Sequence, residues 1–353
     1  MKAFVDRWVL FFTAWGAVAV IGWRSFRSRL RMSHKNGILA AGRIRIVDAP
    51  AFPEHDFFRP GAEFPCRLRH ASISYLDDAM LVVRAASLKF ADTRFESPLD
   101  LLMNNGQTSF FWDVTSFMGF GSVTNQGRDP HFVKWMEDYP LTRKSLLESV
   151  RRDPSTFAQL YYYSQTPFEF RARDGRPRFV KFRLIPEDRG KEDGLPNWDE
   201  EPWNTGWTQG LLPGETRSRN YLKDEYRERV ARGPVTYHLQ LQLHEQRPGD
   251  SRDTLLSCMV VWDEATHPWM DLATVTIDRT LSYDEEERTL FTIGNLPPSM
   301  GITPARSVDD PASLNYLRLR GGWIRRARLF AIRLFGAPPP IPNERTPGYF
   351  NPV

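Results

Sequence analysis

Apolar and polar residues alternate with a period of two over much of the chain. The segments 42–48 (GRIRIVD), 66–75 and 80–90 each alternate, and 51–60 and 92–98 punctuate them, so 42–112 reads as a series of strands. A helical period takes over at 131–138 and 141–152. Asp153-Pro154 marks a further start, and 156–165 (TFAQLYYYSQ) closes the helical region. Strand alternation returns at 178–186, a short helix is expected at 220–232, and 235–245 (VTYHLQLQLHE) is the cleanest strand. There Leu239, Leu241 and Leu243 share one face, and His238, Gln240, Gln242 and His244 the other. Segments 255–262 and 272–277 complete a second set of strands, and 311–335 is helical before a Pro-rich tail. A charged loop bearing tryptophans fills 187–216, a length usual for a functional or interaction segment. Strands, then helices, then strands make the class α+β rather than a parallel βαβ sheet.

One stretch fits neither period. Residues 8–23 (WVLFFTAWGAVAVIGW) carry no charge, with Arg7 before them and an arginine-rich segment after. They fall short of the roughly 20 apolar residues of a spanning helix, and Ile21-Gly22-Trp23-Arg24 makes a poor signal cleavage site. Three readings stay open: a membrane anchor or interfacial helix, a buried N-terminal helix, and an export signal. If the segment inserts, the charges that follow it place the rest of the chain in the cytoplasm.

The 353 residues are 41% apolar and 25% charged, which fits an ordered globular chain. A net charge of only +4 argues against a dedicated nucleic-acid binder. The charge is uneven, with basic stretches at Arg24, Arg27, Arg29 and Arg31 and again over 318–333. Cys66 and Cys258 stand far apart inside apolar runs and read as buried thiols. The sequence contains no HExxH, CxxC, P-loop, dinucleotide or GxSxG pattern.

The residues that could carry chemistry lie in longer blocks: Ser33-His34 in RMSHKNGILAAGRIRIVDAPAFPEHDFF, then FPCRLRHASISYLDDAMLVVRAASLKFAD, then PLDLLMNNGQTSFFW. Together with DPSTFAQLYYYSQ and GPVTYHLQLQLHE, these blocks resemble the catalase superfamily, most closely its allene oxide synthase branch, the catalase-related domain fused to lipoxygenase in corals. The resemblance implies a catalase-like antiparallel eight-stranded β-barrel with flanking helices over 27–336. An apolar helix (1–26, anchoring through 8–23) would precede it and a tail (337–353) would follow. It also implies heme b as cofactor and organic, lipid-type hydroperoxides as substrate. His34 then corresponds to the distal histidine, which can take a proton from a hydroperoxide and return it. Ser33 corresponds to a hydroxyl residue that hydrogen-bonds that imidazole. The hydroxyl separates this branch from true catalases, which carry an aliphatic residue there. Asn104 corresponds to the distal amide, and Asn105-Gly106 can make a turn beside it. Phe117 would cover a heme face. Arg69 would bind a propionate, its fork matching a carboxylate, while His70 points to the other side of the strand and is structural.

One position breaks the pattern. The resemblance implies an axial tyrosinate four residues after an arginine on the C-terminal helix, where the cation lowers the phenol pKa. Arg318 takes the arginine's place, but Gly322 stands where the tyrosine is expected. Tyr316 precedes Arg318 and lies well round the axis from 322. Arg345–Tyr349 has the spacing, yet Pro347-Gly348 breaks any helical turn. Heme could be held through another ligand, held without a strong one, or lost. Two functions follow. The first is a heme-dependent lyase or peroxidase on lipid hydroperoxides, working at a membrane surface and open to homo-oligomer formation. The second is a heme-free, lipid-binding or membrane-associated scaffold.

Overall fold

The computed structural model describes residues 2–73, 77–125, 130–197, 211–212 and 214–345, with side chains undescribed over 121–125 and 130–133. The first four strands are β1 (Asn36–Ile46), β2 (Glu63–Ser72), β3 (Val82–Lys89) and β4 (Asp100–Asn104), paired antiparallel in order. After the helices α2 (Val114–Asn125), α3 (Pro130–Asp138) and α4 (Pro140–Ser149) comes the short β5 (Val150–Arg151), which pairs with β3. The second set comprises β6 (Tyr162–Tyr163), β7 (Phe168–Arg171), β8 (Pro177–Pro186), β9 (Val235–Glu245) and β10 (Met270–Thr280), with helix α5 (Tyr221–Arg232) before β9. Because β8 pairs β9, β9 pairs β10 and β10 returns to β1, the sheet closes into the expected eight-stranded antiparallel barrel. Closure removes the exposed edges an open sheet would carry.

The alternation read from the sequence sorts residues as closure requires. Ile38, His70, Ala86 and Met103 line up across β1–β4 and face the interior core with Leu68, Leu88, Phe182, Leu239 and Leu241. The neighbouring row, Gly37, Ala71, Ala85 and Asn104, faces outward. Gly37 is required there, since a Cβ would come within 2.5 Å of the His70 carbonyl and 2.6 Å of an Arg69 nitrogen.

Two expected elements differ. Segment 156–165 forms a 3-10 turn (Phe157–Gln159) and then β6, because Tyr162 and Tyr163 pair with Leu184 and Arg183 on β8. Segment 255–262 is not a strand. Ser251 caps the short helix α6 (Arg252–Leu256) by accepting from the Thr254 N–H, and Trp262 then folds onto the outer face of β9, its carbonyl taking a hydrogen bond from Gln242. The tryptophans of the 187–216 loop fall outside the described residues.

Helix α7 (Tyr283–Arg288) starts at Ser282, which accepts from the Glu285 N–H, and this cap delivers Glu286 and Glu287 to the barrel's outside. The two-residue strand β11 (Met300–Gly301) pairs with β7, and α8 (Ser313–Phe335) closes the outward face. It ends at Gly336 (φ +79) before a proline run, a combination that stops a helix. The N-terminal α1 (Lys2–Ser28) packs along α8: Leu10, Ala14 and Ala17 meet Leu317, and Gly22 approaches Ile324.

Candidate functional site

The outward row of β1–β4 supplies a flat floor. Between Gly37 at one end and Asn104 at the other, only the methyl groups of Ala71 and Ala85 intervene. The chain enters β1 over this floor, with the His34 N–H donating to the Ile73 carbonyl at 3.1 Å. His34 has φ +58, in the left-handed region that costs a non-glycine residue energy, so its surroundings must hold it there. Arg69 does part of that work by donating from Nη2 to the His34 carbonyl at 2.9 Å, while it pairs with the buried Glu286 at 2.8 Å. Arg69, expected to bind a cofactor carboxylate, thus fixes the backbone of His34.

The imidazole lies between Ser33 Oγ, 2.8 Å from Nδ1, and Asn104 Oδ1, 3.1 Å from Nε2. A chain of constraints selects the tautomer. Gln165 Nε2 donates to the carbonyls of Asn105, Gly106 and Thr108 at 3.2, 3.2 and 2.9 Å, so its Oε1 must turn to Asn104. Asn104 Nδ2 donates to that oxygen at 3.4 Å, which leaves Oδ1 to face the ring. Nε2 therefore carries the proton, and Ser33 donates to Nδ1. Gln165 itself has φ +61. It was hidden at the end of a segment read as helical, and its only sequence signal was its place after a tyrosine run.

Burial pushes His34 down to about 3, assisted by the positive charges of Arg69, Arg325 and Arg31, so the ring is neutral at physiological pH. His34 nevertheless keeps accessible surface, as do Arg318 and Arg325, although all three lie deep in the molecule. Arg318 and Arg325 stand seven residues apart on α8 and so share one face of it. Burial lowers each to about 10, which leaves both charged. Arg318 donates to the Leu102 carbonyl at 3.0 Å, to Asn315 Oδ1 at 3.3 Å and to Thr166, next to Gln165.

Gly322 shares the Arg318 face but approaches the loop after α7: a Cβ there would lie 3.1 Å from Thr292 Oγ1. Tyr316 is turned away. It packs toward the Leu10, Ala14 and Leu317 cluster, with the Arg320 guanidinium 3.2 Å over its ring. Phe117 joins the same cluster and meets Phe111 edge-on at 5.1 Å. Arg345 pairs with Asp77 at 2.7 Å, and Tyr349 lies outside the described residues. His70 is fully buried inside the barrel, with Nε2 3.0 Å from the Tyr237 hydroxyl and its ring stacked on Phe157, as a structural residue should be.

Whether heme suits this place can be tested on its donors. Among the described residues Arg325 Nη1 is buried with no hydrogen-bond partner, whereas Arg31 Nε lies 3.7 Å from Glu287 Oε1 and its Nη2 donates to the Glu286 carbonyl at 2.5 Å; both cations act on His34. An orphaned guanidinium donor on Arg325 beside a flat apolar floor suits a planar group bearing a carboxylate. On this donor the site fits heme. Position 322 supplies no axial ligand, and Tyr316 faces the wrong way.

No family model matches the sequence. The allene oxide synthase-lipoxygenase protein of Plexaura homomalla is 40% identical over 305 residues, covering 86% of this chain and 28% of that protein. The linolenate 9R-lipoxygenase of Nostoc sp. is 28% identical over 337 residues, covering 91% of this chain and 41% of that protein. The chain thus spans less than half the length of either relative. A bacterial catalase superposes with a TM-score of 0.63 at 16% identity, over 85% of this chain and 59% of its own. Catalase A from Saccharomyces cerevisiae does so with 0.62 at 15%, over 87% and 60%. At such identities the structural likeness is one of fold. A barrel shared with catalases and a sequence 40% identical to the coral protein together make this a catalase-related chain of the allene oxide synthase branch.

Proposed function

We infer that the protein binds heme b on the outward face of β1–β4 and cleaves the O–O bond of organic, fatty-acid-type hydroperoxides. The observation that carries this reading is the neutral His34, clamped between Ser33 and Asn104 beside the outward floor of β1–β4, with Arg69, Arg325 and Arg31 near it. Arg325, on α8, would meet a propionate. Bound there, heme would supply the redox-active iron that O–O cleavage needs. The chain supplies the proton handling. A hydroperoxide entering opposite Nε2 displaces Asn104 Oδ1. Exchange of the ring proton with solvent, leaving Nε2 and returning at Nδ1, would let the Ser33 hydroxyl accept from Nδ1–H, and Nε2 is then free to take the peroxide proton and hand it on. An aliphatic residue at 33 could serve neither tautomer. Low basicity also keeps His34 from holding the proton once transferred, with Arg69 and Arg325 disfavouring the charged ring. The relatives' names point to lipid peroxides: one is an allene oxide synthase-lipoxygenase and the other a linolenate lipoxygenase.

The second reading, a heme-free scaffold of the same fold, is favoured by Gly322 and the closeness of Thr292 to it. The test is the absorption spectrum of protein expressed with ample heme, beside His34→Ala. A Soret band whose shape changes in the variant supports heme on the His34 side. A folded, colourless protein overturns the enzyme reading and leaves the scaffold.

A further inference from the structure

Helix α1 is apolar all round, yet α8 and α2 cover only one side of it. Its buried residues, Leu10, Ala14, Ala17, Val18, Gly22 and Ser25, recur at helical spacing and form a single stripe. Of its most apolar eighteen-residue window only 22% is buried, too little for the core helix of a soluble protein. The uncovered side carries Val5, Trp8, Val9, Phe12, Val20 and Trp23, between 46% and 64% exposed. Helix α8 repeats the pattern. Leu319, Trp323, Phe330 and Leu334 follow i, i+4, i+11, i+15 along one stripe and are 38–56% exposed. The helices run parallel and their aromatic rings bridge them: Trp15 to Trp323 at 6.2 Å, and Phe26 to Phe330 and Phe335 at 6.4 Å each. Two apolar stripes thus merge into one surface, far wider than scattered exposed residues make.

Charge says what covers it. Lys2, Arg7, Arg24, Arg27, Arg326 and Arg333 are exposed around this surface. Asp6 is the one acidic residue in α1, and α8 has none. A cavity of about 350 Å³ beside Trp15, Trp323, Arg320 and Arg326 adds two indoles and two guanidiniums, the chemistry of a headgroup zone. We propose that α1 and α8 together form a platform that lies in the plane of an anionic bilayer, with their shared aromatic face in the acyl boundary and their arginines among the headgroups. The pair does not span. The other side of α8 is bound to the barrel through Arg318, and Arg328 pairs with Glu287, so a crossing pair would carry these polar groups into hydrocarbon. Arg29 Nη1, donating to the Phe335 carbonyl at 2.8 Å, ties the two ends together. This inference is independent of the peroxide chemistry.

The test is flotation of the full chain with vesicles of phosphatidylcholine alone or doped with phosphatidylglycerol. Phe330→Glu/Leu334→Glu and Arg326→Ser/Arg333→Ser are run beside it, with circular dichroism to verify folding. The expected result is flotation with the doped vesicles, at least tenfold weaker partitioning for the glutamate pair, and loss of the anionic preference for the serine pair. Undiminished flotation of the folded glutamate pair overturns the proposal, since α1 alone would then hold the membrane. So does a protein that ignores vesicles and forms a dimer broken by the same substitutions, because a second copy would then be the occupant.

Discussion

His34→Asn tests the electrostatics of the site directly. Asparagine tolerates the left-handed backbone at +58, so the substitution removes the titrating ring without adding strain. His34 falls from 6.5 to about 3 on folding, mainly through burial and then through Arg69. Between those values the unfolded chain binds a proton that the folded chain refuses. Stability therefore rises with pH, and it drains away as pH falls below 6.5 toward 3. At about 1.4 kcal/mol per pH unit, the step from about pH 6.5 to about pH 4.5 withdraws roughly 2.5 kcal/mol through His34 alone. His70, also lowered to about 3 by burial, loses stability in the same direction in both proteins and cancels. Urea unfolding followed by tryptophan fluorescence at about pH 7 and about pH 4.5 measures the difference. The variant's loss on acidification should be smaller than that of the parent by about 2.5 kcal/mol. Equal losses in the two proteins would refute the assignment of a buried, neutral His34.

Asn104→Leu removes the acceptor opposite Nε2 and strands Gln165 Oε1, so turnover of a fatty-acid hydroperoxide by heme-loaded protein should fall about 100-fold, within the range of lost proton handling, while thermal stability falls modestly. Gly322→Tyr places a phenol four residues after Arg318. Thr292 Oγ1, 3.1 Å from the new Cβ, must yield a few tenths of an ångström, and the expected gain is stronger heme retention with a tyrosinate charge-transfer band that Gly322→Phe lacks. Lys89, fully buried, donates to both Asp100 oxygens at 3.0 and 3.1 Å. Lys89→Met should cost about 3–5 kcal/mol in denaturant unfolding by leaving that carboxylate unpaired.

Period-two alternation along 235–245 sorted Leu239 and Leu241 from Gln240 and Gln242, and these became the inner and outer faces of β9, whereas β2 from Cys66 on and β3 are covered on both faces. The resemblance to the catalase superfamily, rather than alternation, implied that Ser33, His34 and Asn104 share a site and that Gly322 stands where a tyrosine is expected, and the structure brings the first three into contact. Segments 156–165 and 255–262 were misjudged because apolar content reports burial and not the partner. Tyr162 is a strand residue only because β8 lies beside it, and Trp262 is buried only because β9 gives it a face. Gln165 was invisible for a similar reason, since its role depends on three carbonyls more than fifty residues away. The sequence alone determined that 8–23 would be apolar, and left open whether that apolarity served a core, a membrane or export. Only the tertiary structure decided which faces stay uncovered, because a stripe against α8 can be told from a stripe facing outward only once the two helices are docked.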